Sequence, residues 1–246
     1  MTDQTTRRPA RSLRCCLATA ALTLGALVLA GPVLAAGEVL IHQLEWQDRT
    51  GGDALKWDVS GWLGSDHDRV WLRDEGDHAR GDEVENRVEL LWGHPLARWE
   101  FLAGVRHDSG RTPSRTYGAV GGQMRVRDSL RLEAMGYLGE GSDKGNKVHA
   151  GARLQADWDY PLGRGFALAA RGEFEIWSED HVRYTDGVGP SQVNGGLRLQ
   201  YTLAPALSPY VGVEWLRLLG DTADLEETAG RPAHESRLVA GLRLQF

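Results

Sequence analysis

The chain has 246 residues, with 28 basic and 34 acidic side chains, two cysteines, nine tryptophans and 31 glycines, and a mean hydropathy of −0.38. A net charge of −6 argues against a nucleic-acid partner, which needs a basic face. Being hydrophilic on average yet rich in Trp and Gly suits a chain in which only alternate residues meet an apolar medium.

Residues 1–35 are predicted to be a secretory signal peptide. Arg7, Arg8, Arg11 and Arg14 form a positive start, Cys15–Leu29 an apolar stretch, and Val33-Leu34-Ala35 a small-x-Ala cleavage site. Gly25, Gly31 and Pro32 interrupt the span and disfavour a retained anchor. Both cysteines, Cys15 and Cys16, leave with the leader, so the mature chain has neither a disulfide nor a thiolate metal site. The leader also carries four Arg and one Asp, which leaves 24 basic and 33 acidic residues over 36–246, a net charge near −9.

From there on, apolar and polar residues alternate in segments of about ten, as in strands that cross a bilayer at a tilt. Strands are predicted near 39–47, 54–63, 68–76, 83–92, 98–107 and 115–124. Six more follow near 129–138, 147–158, 166–177, 191–203, 209–219 and 235–246. Val148, Ala150, Ala152, Leu154, Ala156 and Trp158 oppose Lys147, His149, Arg153, Gln155 and Asp157. The last strand sets Leu238, Ala240, Leu242, Leu244 and Phe246 against Arg237, Gly241, Arg243 and Gln245, and it ends on an aromatic as closing barrel strands do. Short links at 64–67, 93–97, 125–128, 159–165 and 204–208 alternate with longer ones, notably 178–190 and 220–234. Aromatics including Trp62, Trp71, Trp92, Trp99, Trp158, Phe166, Tyr201 and Tyr210 fall at one set of strand ends, and Trp46, Trp57, Trp177 and Trp215 fall towards the other. Paired aromatic belts mark a membrane barrel rather than a soluble sandwich. The expected fold is therefore an all-β, transmembrane, antiparallel up-and-down β-barrel of about 12 strands over residues 36–246, in the outer membrane and in contact with its lipid.

The inward parity is crowded with Arg, Lys, Asp and Glu, among them Arg73, Glu89, Glu133, Arg171 and Arg198. Twelve strands enclose a narrow lumen, so these charges are expected to pair with one another and fill it. The loops are rich in carboxylates, among them Asp77, Asp82, Glu140, Asp143, Glu179, Asp180, Asp186, Asp221, Asp224, Glu226 and Glu227, a rim that attracts cations. There is no phosphate-binding glycine loop before a helix, no HExxH pair, and no motif that ties a Ser to a His. The eight histidines are scattered, so a non-enzymatic barrel is expected.

More specific wording runs through the barrel. Leu44-Glu45-Trp46 is followed by Trp57-Asp58-Val59-Ser60-Gly61-Trp62 and by Asp68-Arg69-Val70-Trp71-Leu72-Arg73-Asp74-Glu75-Gly76. Gly104-Val105-Arg106-His107-Asp108, Pro113-Ser114-Arg115-Thr116, Tyr137-Leu138-Gly139-Glu140-Gly141, Tyr210-Val211-Gly212-Val213-Glu214-Trp215 and Asp221-Thr222-Ala223-Asp224-Leu225 come later. In this order the chain resembles the copper resistance protein B family over about residues 42–246. The resemblance implies an outer-membrane role in copper homeostasis, by export or sequestration of copper ions. It implies a periplasmic multicopper oxidase and copper-binding proteins as functional partners. The family usually carries a Met/His-rich segment between signal and barrel. Here only a few residues separate Ala35 from the first strand, and His42, at the start of that strand, is the candidate ligand. The rival functions are a small channel for another solute and a lipid-modifying barrel enzyme.

One hairpin offers a metal site. If the strands near 129–138 and 147–158 close around Leu138 and Lys147, then His149 lies opposite Met135 or Tyr137, on the same side of the sheet. A thioether beside an imidazole suits Cu(I), and Glu133 or Tyr137 supplies oxygen for Cu(II). The expected copper ligands are therefore His149, Met135, Tyr137 and Glu133. The competing structural reading is that Met135 fills a gap in the lumen.

Overall fold

The computed structural model describes residues 36–50, 52–79, 84–110, 114–140, 148–178, 189–228, 230 and 232–246. The leader expected over 1–35 lies outside the described residues, as do Asp82, Asp143, Glu179, Asp180 and Asp186 of the acidic loops. Ala36–Phe246 forms a single unit.

All twelve expected strands are present: β1 (Ala36–Arg49), β2 (Gly52–Gly64), β3 (Arg69–Ala79), β4 (Glu85–Leu96), β5 (Trp99–Ser109), β6 (Arg115–Arg127), β7 (Leu130–Glu140), β8 (Val148–Gly163), β9 (Phe166–Trp177), β10 (Gly189–Tyr201), β11 (Leu207–Leu218) and β12 (His234–Gln245). Each pairs antiparallel with its sequence neighbour, and β1 pairs with β12, so the sheet closes on itself. Closure leaves no strand edge unpaired in lipid, which is the condition for a sheet to span a membrane. Three of the five short turns are tighter than the sequence suggests. The link expected over 159–165 shrinks to Arg164–Gly165, because β8 continues to Gly163. Arg164 and Gly165 both have positive φ, 54° and 83°, the backbone twist that matches flanking strands in a two-residue hairpin. Among the longer links, the stretch expected as a loop over 220–234 contains a helix, α1 (Gly220–Thr228). Its acidic first turn suits a helix N-terminus, and a helix leaves no mark in an alternation of period two.

Parity sorts the side chains as expected for most strands. Val70, Leu90, Trp92, Trp99, Val105, Leu154, Trp158, Trp215 and Leu238 are exposed on the outer face. Four aromatics depart from the expected belts. Trp71, Trp177 and Tyr210 are buried, and Trp62 packs against Trp71 with ring centroids 6.3 Å apart. Trp62 and Trp71 share the inward parity of Lys56, Asp58, Arg69 and Arg73, so they line the lumen rather than the lipid. Asp74 is the converse case, an acid on the outward parity of β3. A carboxylate facing lipid costs free energy. Trp57 covers Asp74, leaving it 5% exposed, and donates its Nε1–H to Oδ1 at 3.0 Å.

The seam is secured at its very end. Phe246 donates its N–H to the Val39 carbonyl at 2.8 Å and accepts from the Val39 N–H at 3.0 Å. Deleting Phe246 removes both bonds and the terminal aromatic. The expected cost is about 1–3 kcal/mol for the two bonds, read as a smaller heat-modifiable fraction after assembly. Unchanged assembly would show that closure does not need this residue.

Candidate functional site: a divided lumen

The site is built from the inward parity of every strand. Side chains that alternate towards a narrow interior must satisfy one another, because an unpaired charge there is strongly disfavoured. On the β10–β2 side, Arg198 donates Nε to Glu45 at 2.6 Å and Nη2 to Glu214 at 2.6 Å. Lys56 approaches Glu214 at 3.2 Å, and Gln47 bonds Glu45 at 2.7 Å. This cluster spans β1, β2, β10 and β11 and so bridges the seam from inside. Next to it, Arg171 joins Asp58 at 2.5 Å and Asp157 at 2.6 Å. Arg153 joins Glu75 at 2.8 Å and Glu173 at 2.5 Å.

The opposite wall is apolar. Leu91 and Leu102 are 1% and 0% exposed, and they cluster with Trp71, Ala119, Met135 and Tyr137. Arg73 reaches across from β3 to Glu133 at 2.9 Å and Glu89 at 3.5 Å, while the Tyr137 hydroxyl donates to Glu89 at 2.9 Å. These residues form a septum. On the side of the longer links, the outer side expected for such barrels, lies a cavity of about 450 Å³, and on the side of the short turns, the expected periplasmic side, one of about 1050 Å³. Arg73, Glu89, Glu133 and Tyr137 line neither cavity, whereas Gln43 and Arg171 border both. The expected filling of paired charges is what the lumen contains.

The structure revises the expected metal site. The β7–β8 register pairs Met135 with Arg153, Tyr137 with Gly151 and Gly139 with His149. His149 thus sits four residues along the ladder from the level of Met135, about 13 Å at strand rise, too far for one shared ion. The assumed closure at Leu138 and Lys147 set the register about three residues too tight. Glu133 is engaged by Arg73. Met135 packs beside Gly121, where a Cβ would come within 2.6 Å of Sδ, so its placement is that of a lumen filler. Tyr137 and His149 do meet a common neighbour, Trp177, at 6.1 and 4.8 Å between ring centroids. The cation already housed there is Arg106, 2% exposed, with its guanidinium 4.4 Å from the Tyr137 ring and 5.3 Å from Trp177. Arg115 Nη1 lies 3.3 Å from His149 Nδ1. Among the described residues no group of three or more His, Cys, Asp or Glu is arranged to hold a metal ion. The Arg115 guanidinium at His149, with Arg106 against the neighbouring Tyr137 and Trp177 rings, further opposes a copper cation.

Sequence reasoning missed two features. The aromatic box around Arg106 draws on β6, β7 and β9, and only the closed sheet assembles it. A bulge in β1 was the other. The ladder to β2 pairs Ile41 with Val59 and then Gln43 with Asp58, which leaves His42 as the extra residue. The bulge reverses the parity, so Glu38, Leu40 and His42 line the periplasmic cavity on one side of it and Gln43 on the other. His42 Nε2 lies 3.0 Å from Ser60 Oγ. Among the described residues His42 is the imidazole that lines either cavity.

Residues 35–246 match the family model described as "Copper resistance protein B precursor (CopB)". The chain is 38% identical over 205 residues to the "Copper resistance protein B homolog" of Pseudomonas syringae pv. tomato, covering 83% of this chain and 68% of that protein. It is 34% identical over 209 residues to "Copper resistance protein B" of Escherichia coli, covering 85% of this chain and 69% of that one. Among solved structures, the NanC porin superposes with a TM-score of 0.55 at 14% identity, over 85% of this chain and 99% of the porin, a likeness of fold alone. These matches bear out a non-enzymatic membrane barrel. The family match spans every strand of the barrel, and the chain belongs to the copper resistance protein B family.

Proposed function

We propose that this protein is exported by its leader to the outer membrane and serves copper homeostasis there, by export or sequestration of copper ions. The observation that carries this reading is the family match over the entire barrel, residues 35–246. The divided lumen supports controlled handling of copper over free diffusion, since paired side chains stand between the two cavities. A periplasmic multicopper oxidase and periplasmic copper-binding proteins are the proposed partners, supplying or receiving copper at the inner mouth. Within the barrel, the proposed copper contact is His42, because it is accessible from the periplasmic cavity and an imidazole suits copper. His149 is the second imidazole inside the barrel, buried at 1% exposure.

The test is copper tolerance of a deletion strain, set beside its tolerance of zinc and silver. Copper sensitivity alone is expected, and complementation with His42→Gln should restore only part of the tolerance while the folded barrel is present in equal amount. An unchanged copper phenotype on deletion would overturn the function. Full rescue by His42→Gln would move the contact elsewhere.

A further inference from the structure

The periplasmic cavity has a charge that a pathway for bare cations does not need. Eight arginines and five carboxylates line it among the described residues. The outer cavity is balanced, with eight basic and eight acidic side chains. The surplus is concentrated on one wall. Arg125 of β6 donates its N–H to the carbonyl of Arg98, the turn residue just before β5, at 3.3 Å, which sets the two residues opposite one another. Across the next ladder Arg125 pairs with Arg131. A turn and the two strands β6 and β7 therefore place three arginines side by side, and like charges directly opposed on neighbouring strands are destabilising.

A bulge adds a fourth. The β6–β7 ladder steps from Arg125–Arg131 to Arg127–Leu130, leaving Val126 as the extra residue, and both Arg125 and Arg127 line the cavity. Asp157 answers Arg131 at 3.2 Å. Arg98, Arg125 and Arg127 are exposed and make no ion pair among the described residues. An exposed row of unpaired guanidiniums at the mouth of a cavity attracts anions and repels free cations. Planar guanidinium groups bind carboxylate and phosphate oxygens in pairs.

We propose that the periplasmic vestibule binds a small multivalent oxyanion, of carboxylate or phosphate chemistry, through Arg98, Arg125 and Arg127. Such an anion neutralises the wall and lowers the barrier to a cation approaching His42 through the same cavity. The binding itself needs no copper and stands apart from the proposed role in copper homeostasis. Two sources carry this chemistry, a free anion of the periplasm and the phosphate headgroup of a membrane lipid.

The probes are pyrophosphate and citrate, titrated at constant ionic strength into the copper-free full-length protein. Titration calorimetry reads the binding, and so does tryptophan fluorescence, because Trp62, Trp71 and Trp99 line the cavity. Saturable binding is expected in detergent. It should weaken by about tenfold or more in the Arg98→Gln, Arg125→Gln, Arg127→Gln triple variant, which loses three charge-assisted contacts. Arg49→Gln at the outer cavity should leave it unchanged. If the triple variant does not fold, Arg125→Gln alone is to be compared with Arg125→Lys, which keeps the charge but not the paired geometry. Repeating the titration in phosphatidylcholine and in phosphatidylglycerol bilayers separates the sources. Competition confined to phosphatidylglycerol assigns the site to a lipid headgroup, and equal binding in both assigns it to a free anion. Absence of saturation in detergent and both bilayers, or equal affinity in the arginine variants, would overturn the proposal.

Discussion

Arg198→Leu is expected to lower the stability of the barrel by about 3–5 kcal/mol, the cost of leaving buried charge without its partner. Glu45 and Glu214 are 0% and 2% exposed, and both accept from this one guanidinium. Lys56 and Gln47 would remain near them, with Arg237 at 3.8 Å from Glu214, and none of the three replaces the paired contacts of Arg198. The loss falls where it matters most, because the cluster links β10 and β11 to β1 and β2 across the closing seam. Urea unfolding in detergent micelles, followed by heat-modifiability, measures it. Adding Glu45→Gln to Arg198→Leu should recover part of the loss, since it removes one orphaned charge. A midpoint equal to wild type in the single variant would show that the cluster fills space without holding the seam.

Opening the septum should change conductance more than any change at the rims. Replacing Arg73, Glu89 and Glu133 together by serine removes an ion-paired group, so no charge is stranded, although the Tyr137 hydroxyl loses its acceptor. The two cavities of about 450 and 1050 Å³ would then share a water path along the apolar wall. Ions cross a barrel only through continuous water or through sites that replace it. Wild-type protein in a planar bilayer is therefore expected to conduct weakly, and the triple variant at least severalfold more. Arg49→Ala, whose partner Asp77 lies at the outer cavity, serves as the control and should leave conductance near wild type. Equal conductance in the triple variant would mean that the septum is not the constriction.

The fold was legible in the sequence because a barrel writes its geometry locally. Side chains along a strand alternate between two media, so Val148 to Trp158 or Leu238 to Phe246 show their outward face without knowledge of any partner strand. Twelve such stretches with alternately short and long links specify an up-and-down barrel, and the shared wording with copper resistance protein B proteins agreed with it. The charged lumen was legible for the same reason, since inward parity alone collected Arg73, Glu89, Glu133, Arg171 and Arg198.

Register was not local. A hairpin's rungs depend on loop length and on bulges, and a shift of three residues in the β7–β8 register is enough to carry His149 from between Met135 and Tyr137 to the level of Gly139. The bulges at His42 and Val126 are single inserted residues that alternation absorbs as noise, yet they decide which side chains reach the periplasmic cavity. Parity also tells inward from outward only when both faces differ in polarity. Trp62, Trp71, Trp177 and Tyr210 are apolar enough to pass for lipid belts, whereas closure turned them into the lumen. The sequence by itself thus determined the strands, their faces and the family. Only the closed sheet decided the pairing partners, the septum and the two unequal cavities, because those depend on distances between residues far apart in the chain.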